Sequence, residues 1–251
     1  MKHFLKHQVQ KRLASRGYRI EKTRNVVSPL DAFDLLFSGL DPSDPNFFFI
    51  QVGANDGVQD DPLRESILRF HWKGILLEPQ PEAFAALKRN YASETQLIFE
   101  NCALAPQDGE AEFFRGSSSL LGSLRKQVVA NNSSVKVTST TVQTISPATL
   151  LKKHDVPRLD LLLIDAEGYD LILLEIFAPL LSRYPAKVIR FEVHNLSAAD
   201  FARAQTLLHT HGYRLFLTGL DAVALRKAEE PDAFQIHLSL RTRFPAQFLS
   251  D

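Results

Sequence analysis

The stretch Phe47-Phe48-Phe49-Ile50-Gln51-Val52-Gly53-Ala54-Asn55-Asp56-Gly57 decides the fold. Phe47 to Val52 form an almost unbroken apolar run of strand length. They lack the alternation expected of a sheet with one wet face, so the strand is predicted to be buried on both sides. It stops in a loop with two glycines four apart, where a backbone without Cβ atoms can turn sharply and approach a ligand. The loop is not Gly-x-Gly-x-x-Gly, and a purely structural turn would read the same way. The remainder of the chain has to decide between a ligand loop and a plain turn.

Downstream, strands and helices alternate. Helical spacing covers Pro62–Phe70, Pro81–Asn90, Ser146–His154, Tyr169–Leu181 and Ser197–His211, with Ser146 or Thr144 as cap and Pro147 suited to a first turn. Strand-like runs occupy Gly74–Glu78, Gln96–Leu104, Leu159–Ile164 and Lys187–Val193. Gly212–Leu217 and Asp221–Leu225 close the series as a pair. The expected fold is therefore α/β and doubly wound around a mostly parallel sheet. Residues 105–145 break the rhythm as a polar insertion, with strands at Ala111–Arg115 and Val135–Thr144 around serine- and asparagine-rich segments. A stretch of that kind is expected to be a functional lid or a loop.

Ligands of open parallel sheets sit beyond the carboxyl ends of the strands. After the second strand comes Glu78-Pro79, 21 residues past Gly57, where an acid can accept hydrogen bonds from ribose hydroxyls. The third ends at Asn101-Cys102-Ala103-Leu104, whose small side chains leave a slot for a flat base. Cys102 has no identifiable catalytic partner and reads as a packing residue. Asp165-Ala166-Glu167-Gly168-Tyr169-Asp170 follows the most apolar strand, with helix capping as the competing role for its acids. The fifth strand runs into Phe191-Glu192-Val193-His194-Asn195, and alternation puts Glu192 and His194 on one side.

In that order, the motifs from Phe47 to Asn195 resemble the FkbM family of class I S-adenosylmethionine-dependent methyltransferases. The resemblance implies a seven-stranded Rossmann-like sheet with an antiparallel last strand. It implies that Gly53, Ala54, Asn55, Asp56 and Gly57 wrap the methionine part of S-adenosyl-L-methionine, and that Glu78, with Pro79, holds the ribose. Cys102 and Ala103 would flank the adenine, and Asp165, with Glu167 beside it, would lie near the sulfonium and the acceptor. Gln51 stands where related enzymes often carry an acid, and is the candidate contact to the cofactor's amino group. Family members typically methylate hydroxyl groups on sugars or secondary metabolites, so the implied partner is a small-molecule or glycan acceptor.

An alcohol is a poor nucleophile until its proton leaves, so a base is expected. His194 is the candidate, because an imidazole changes protonation near neutral pH, with Asp165 or Glu192 orienting it or the acceptor. The variant mechanism is a divalent metal held by Asp165, Glu192 and nearby carboxylates, although no compact metal-ligand motif is present. Two rival functions share part of the pattern. They are a non-catalytic scaffold that keeps the fold, and an NAD-dependent dehydrogenase, which the missing glycine pattern disfavours.

Composition bounds the rest. The chain has 251 residues, 45% of them hydrophobic, enough for one sizeable domain with short additions. A single cysteine excludes an intramolecular disulfide framework. Lys plus Arg and Asp plus Glu number 29 each, a balance that asks for no nucleic acid. The first 20 residues carry six Lys or Arg and no acid, with Phe4, Leu5, Val9 and Leu13 at near-helical spacing. Residues 1–45 are therefore expected to be a basic helical extension with peripheral membrane contact as one role, and 46–251 the methyltransferase domain. No secretory signal or apolar span of about 20 residues is evident, so the expected location is cytoplasmic.

Overall fold

The computed structural model describes residues 43–116, 122–132, 137–218 and 220–226. The basic extension up to residue 42, the serine-rich segment at 117–121 and the tail beyond 226 lie outside the described residues.

The strands are β1 (Phe48–Val52), β2 (Lys73–Leu77), β3 (Leu97–Glu100), β4 (Ala103–Leu104), β5 (Gly109–Arg115), β6 (Gly122–Ser123), β7 (Thr138–Ile145), β8 (Leu161–Ile164), β9 (Val188–Glu192), β10 (Tyr213–Thr218) and β11 (Asp221–Arg226). The helices are α1 (Arg64–Phe70), α2 (Pro81–Asn90), α3 (Lys126–Asn132), α4 (Pro147–Lys153), α5 (Asp170–Phe177) and α6 (Ala198–Thr210). The main sheet has seven strands in the order β10-β11-β9-β8-β1-β2-β3. Strands β9, β8, β1, β2 and β3 pair in parallel, while β11 is antiparallel to both of its neighbours. The expected doubly wound sheet with an antiparallel last strand is what the chain forms. Among the described residues, no helix is long and apolar enough to cross a membrane.

All five residues of β1 are buried, and alternate side chains enter different cores. Phe48, Ile50 and Val52 pack with Leu162, Ile164 and the apolar faces of α4, α5 and α6. Phe49 packs on the other face with Leu161, Leu163, Ile67 of α1 and Leu87 of α2. Trp72 anchors that second core, stacked on Phe47 at 4.4 Å and Phe70 at 6.0 Å. This two-sided burial is why the run at 47–52 is apolar at every position but Gln51. Local signals agree: Ser146 caps α4 by accepting from the Thr149 N–H with Pro147 in the first turn, and Ser197 caps α6 by accepting from Asp200 N–H.

Two expectations are corrected. The run Gln96–Leu104 is not one strand: β3 stays in the main sheet, and β4 pairs with β7 in a second one. The chain bends at Asn101, whose side-chain amide donates to the Glu78 and Pro79 carbonyls at 2.8 and 3.2 Å. The segment at 105–145 is also more than a lid or loop. Its described part supplies three strands of a four-stranded sheet, ordered β4-β7-β5-β6, with α3 following β6. Among the described residues, Ala103, Phe113 and Val142 form its buried core, so few apolar residues announce it.

Candidate active site

A cavity of about 370 Å³ opens beyond the carboxyl ends of β1, β2, β8 and β9, with Phe113, Gly122, Ser123 and Leu124 of the second sheet on another wall. The loop after β1 forms its floor. Gly53 and Ala54 N–H groups both donate to the Leu77 carbonyl at 3.0 Å, and Asp165 N–H donates to the Val52 carbonyl at 3.0 Å. Gly53 has φ +80°, and a Cβ there would stand 1.9 Å from the Asp165 carbonyl oxygen. Only glycine fits this passage between β2 and β8. Gly57, at φ +70°, faces Tyr91, where a Cβ would come within 2.4 Å of the ring.

The other residues of that loop divide by role. Asn55 is left-handed (φ +45°) and 9% exposed; both polar atoms of its side chain are buried with no hydrogen-bond partner, on the cavity wall. Asp56 and Gly57 do not line the cavity: the Asp56 carboxylate accepts from the Val58 and Gln59 N–H groups and fixes the turn. Gln51 is 2% exposed and lines the cavity. Its amide donates to Asp61, which also accepts from the Tyr91 hydroxyl at 2.8 Å and from Leu63 N–H at 2.9 Å.

Glu78 is buried at the end of β2, where its two carboxylate oxygens accept from Asn55 N–H at 2.9 Å and Gln80 N–H at 2.8 Å. Burial pushes its pKa up to about 7, against the opposing pull of those hydrogen bonds. With the Gln80 side chain also bonded to it, the carboxylate still has lone-pair capacity for a ligand hydroxyl. Pro79, Cys102 and Ala103 line the cavity beside it. Burial raises the Cys102 thiol to about 12, which suits a packing residue and not a nucleophile.

The opposite end is acidic. Asp165 follows β8 and is exposed toward the cavity it lines, while the protein packed around its carboxyl desolvates it in part. That desolvation, then the charges of Glu192 and Asp221, push its pKa up to about 7. Glu167 sits in a left-handed turn (φ +47°), raised to about 8 by burial, then Glu192, then Asp165. Glu192 at the end of β9 is also raised by burial. Fully buried Asp170 ties the two segments together, accepting from Gly168 N–H at 3.1 Å and Glu192 N–H at 3.2 Å. From the second sheet, Ser123 donates to the Ala166 carbonyl at 3.3 Å and Arg125 to the Gly168 carbonyl at 2.9 Å.

His194 is a correction. β9 ends at Glu192, so the alternation that aligned His194 with Glu192 does not extend that far. Val193 N–H donates to the Leu220 carbonyl and Leu196 N–H to the Val193 carbonyl, closing a turn that leaves His194 exposed and off the cavity wall. Its neighbour Asn195, which no sequence pattern points to, turns inward and donates to Glu167 at 3.0 Å and Glu192 at 3.1 Å. Tyr169, Arg190, Leu220 and Asp221 also line the cavity, beyond the site residues expected from the sequence. For Asp221 the signal was its place at the start of the closing strand; for Arg190, in the middle of β9, and for Phe113 and Leu124 there was none.

A family model described as the methyltransferase FkbM domain matches residues 51–215. A search of the curated proteins gives no match. Among solved structures, the chain is similar to a methyltransferase FkbM from Methylobacillus flagellatus KT, with 12% identity, TM-score 0.47 and coverage of 71% of this chain and 43% of that one. The chain thus spans less than half the length of that protein. It is also similar to the N-terminal domain of human METTL16 in complex with SAH (12% identity, TM-score 0.47, 85% and 77% covered). A precorrin-6y C5,15-methyltransferase from Geobacter metallireducens GS-15 gives 13% identity, TM-score 0.42 and coverage of 82% and 94%. The family model starts within β1, ends within β10 and takes in more than half of the sequence, so the chain belongs to the FkbM methyltransferase family.

Proposed function

We propose that the protein transfers a methyl group from S-adenosyl-L-methionine to a hydroxyl group of a sugar, glycan or secondary metabolite. The observation that carries this is the wall formed by Gly53, Asn55 and Glu78. It combines a backbone passage that excludes any Cβ, two buried amide atoms without partners and a buried carboxylate already set by two N–H groups. These residues fit the cofactor, because unsatisfied buried polar atoms are rare and mark a place for a polar ligand.

When bound, the cofactor supplies a methyl group on an already activated leaving group, so the protein's task is alignment and exclusion of water. The Gly53–Asn55 backbone and the Asn55 amide would hold its amino-acid end. Glu78 would accept from the ribose hydroxyls, and Pro79, Cys102 and Ala103 would pack the base. Phe113 and Leu124, packed with Ala103, would extend that apolar wall and help to exclude water. The acceptor hydroxyl would enter at Asp165, Glu167 and Glu192, whose oxygens accept its hydrogen bond. Among the described lining residues are seven acids (Asp60, Asp61, Glu78, Asp165, Glu167, Glu192 and Asp221) and one arginine, Arg190. That wall favours a neutral polyol or a cation and repels a polyphosphate backbone.

The test is a methyl-transfer assay with S-adenosyl-L-methionine against glycans and hydroxylated metabolites, read by mass spectrometry. A gain of one methyl group on a defined hydroxyl is expected. Cofactor binding with no mass gain on any acceptor would instead favour a scaffold that has kept the fold.

A further inference from the structure

We propose that Asp165, Glu167 and Glu192 form a binding site for one hard divalent cation, Mg²⁺ or Mn²⁺, with the side-chain oxygen of Gln51 facing it directly or through water. Each acid offers one carboxylate oxygen, and the three oxygens lie within 4.8 Å of one another. Ligands across an octahedral Mg²⁺ are about 4.2 Å apart and neighbouring ones about 3 Å, so modest closure brings all three into its shell. They come from three separately held places: the end of β8, the left-handed turn at Glu167 and the end of β9.

Charge supports a cation. Among the described residues, no ion pair includes any of the three acids. Asn195 bonds Glu167 and Glu192 with a neutral amide, which fixes their position and leaves their charge uncompensated. Arg190 is engaged with Asp221 at 2.5 Å.

An independent observation comes from β1. Gln51 is 2% exposed, and its Oε1 has no hydrogen-bond partner. Its Nε2 is committed to Asp61, which turns the oxygen the other way. Gln51 is in register with Leu163, two residues before Asp165, and Leu163 with Arg190, two before Glu192. Side chains two apart share a sheet face, so Gln51 projects on the side of Glu192, within β9, and it lines the same cavity as all three acids. A buried amide oxygen without a donor is rare and suits a hard cation or its water shell.

The site stands on geometry alone. Its chemical use rests on the proposed methyl transfer: the ion would bind the acceptor hydroxyl and lower its pKa, the task otherwise given to a general base. The test uses the full chain, stripped with a chelator, titrated with Mn²⁺ by calorimetry and followed by electron paramagnetic resonance. One Mn²⁺ per chain is expected. Glu167→Gln and Glu192→Gln are each expected to weaken it about 10-fold or more, with thermal melts in the absence of metal no lower than wild type. Gln51→Leu should weaken it less. No Mn²⁺ bound at millimolar concentration, or equal binding by the folded variants, would overturn the proposal. Calorimetry with S-adenosyl-L-methionine on the metal-free chain separates the two ideas: cofactor heat without Mn²⁺ binding sinks only the cation site, and Mn²⁺ binding without cofactor heat sinks only the methyltransferase reading.

Discussion

Gly53 and Glu78 do most to shape the cofactor wall at the scale of single residues. A Cβ at Gly53 would overlap the Asp165 carbonyl and would have to adopt φ +80°. Gly53→Ala is therefore expected to destabilise the fold by about 2 kcal/mol or more, seen as a lower midpoint in urea unfolding. Glu78 makes a prediction of sign. Its folded pKa, about 7, lies above the ordinary 4.5, so the native state favours the protonated acid. Stability from this group is full below about pH 4.5 and is lost as pH rises through 7, amounting to about 3 kcal/mol. Glu78→Gln should flatten that slope and leave the melting temperature at pH 8 no lower than wild type, while cofactor affinity falls about 10-fold or more. Both residues are legible because glycine spacing and a strand-end acid are local signals. His194 is misplaced by sequence alternation because that pattern needs two more strand residues than β9 has. Asn195 escapes notice because an inward turn leaves no periodicity.

Among elements, the parallel strands are the legible part. β1 and β8 bury both faces, so continuous apolar runs name them. Leu162→Ala, at a position with 0% exposure between two layers, should cost about 2–5 kcal/mol in equilibrium unfolding. The second sheet is not legible as a sheet. β7 exposes five of its eight residues, so its polar side chains read as insertion although it pairs with β5 from Thr138 to Thr144. Its small core makes Phe113 the sensitive position. Phe113→Ala should cost about 3 kcal/mol and weaken cofactor binding, because Phe113 packs against Ala103 of the proposed base slot and lines the cavity. Retention of wild-type cofactor affinity in a folded Phe113→Ala variant would place the base elsewhere.

Across the whole molecule, a net charge of zero conceals separation. Basic residues crowd the first 20 positions, while seven acids converge on one cavity from β1, β2, β8, β9 and the β10–β11 turn. The number of acids can be read from the sequence, but their convergence requires the sheet order, which brings positions as far apart as Asp60 and Asp221 to one place. On the proposed function, that arrangement would serve a cationic cofactor held by the β1 and β2 loops. Isothermal titration of the full chain with S-adenosyl-L-methionine tests this most directly, with Gly53→Ala and Glu78→Ala as partners. One site per chain is expected in the wild type, abolished or strongly weakened in both variants. Absence of heat in the wild type, or unchanged affinity in folded Gly53→Ala, would contradict it.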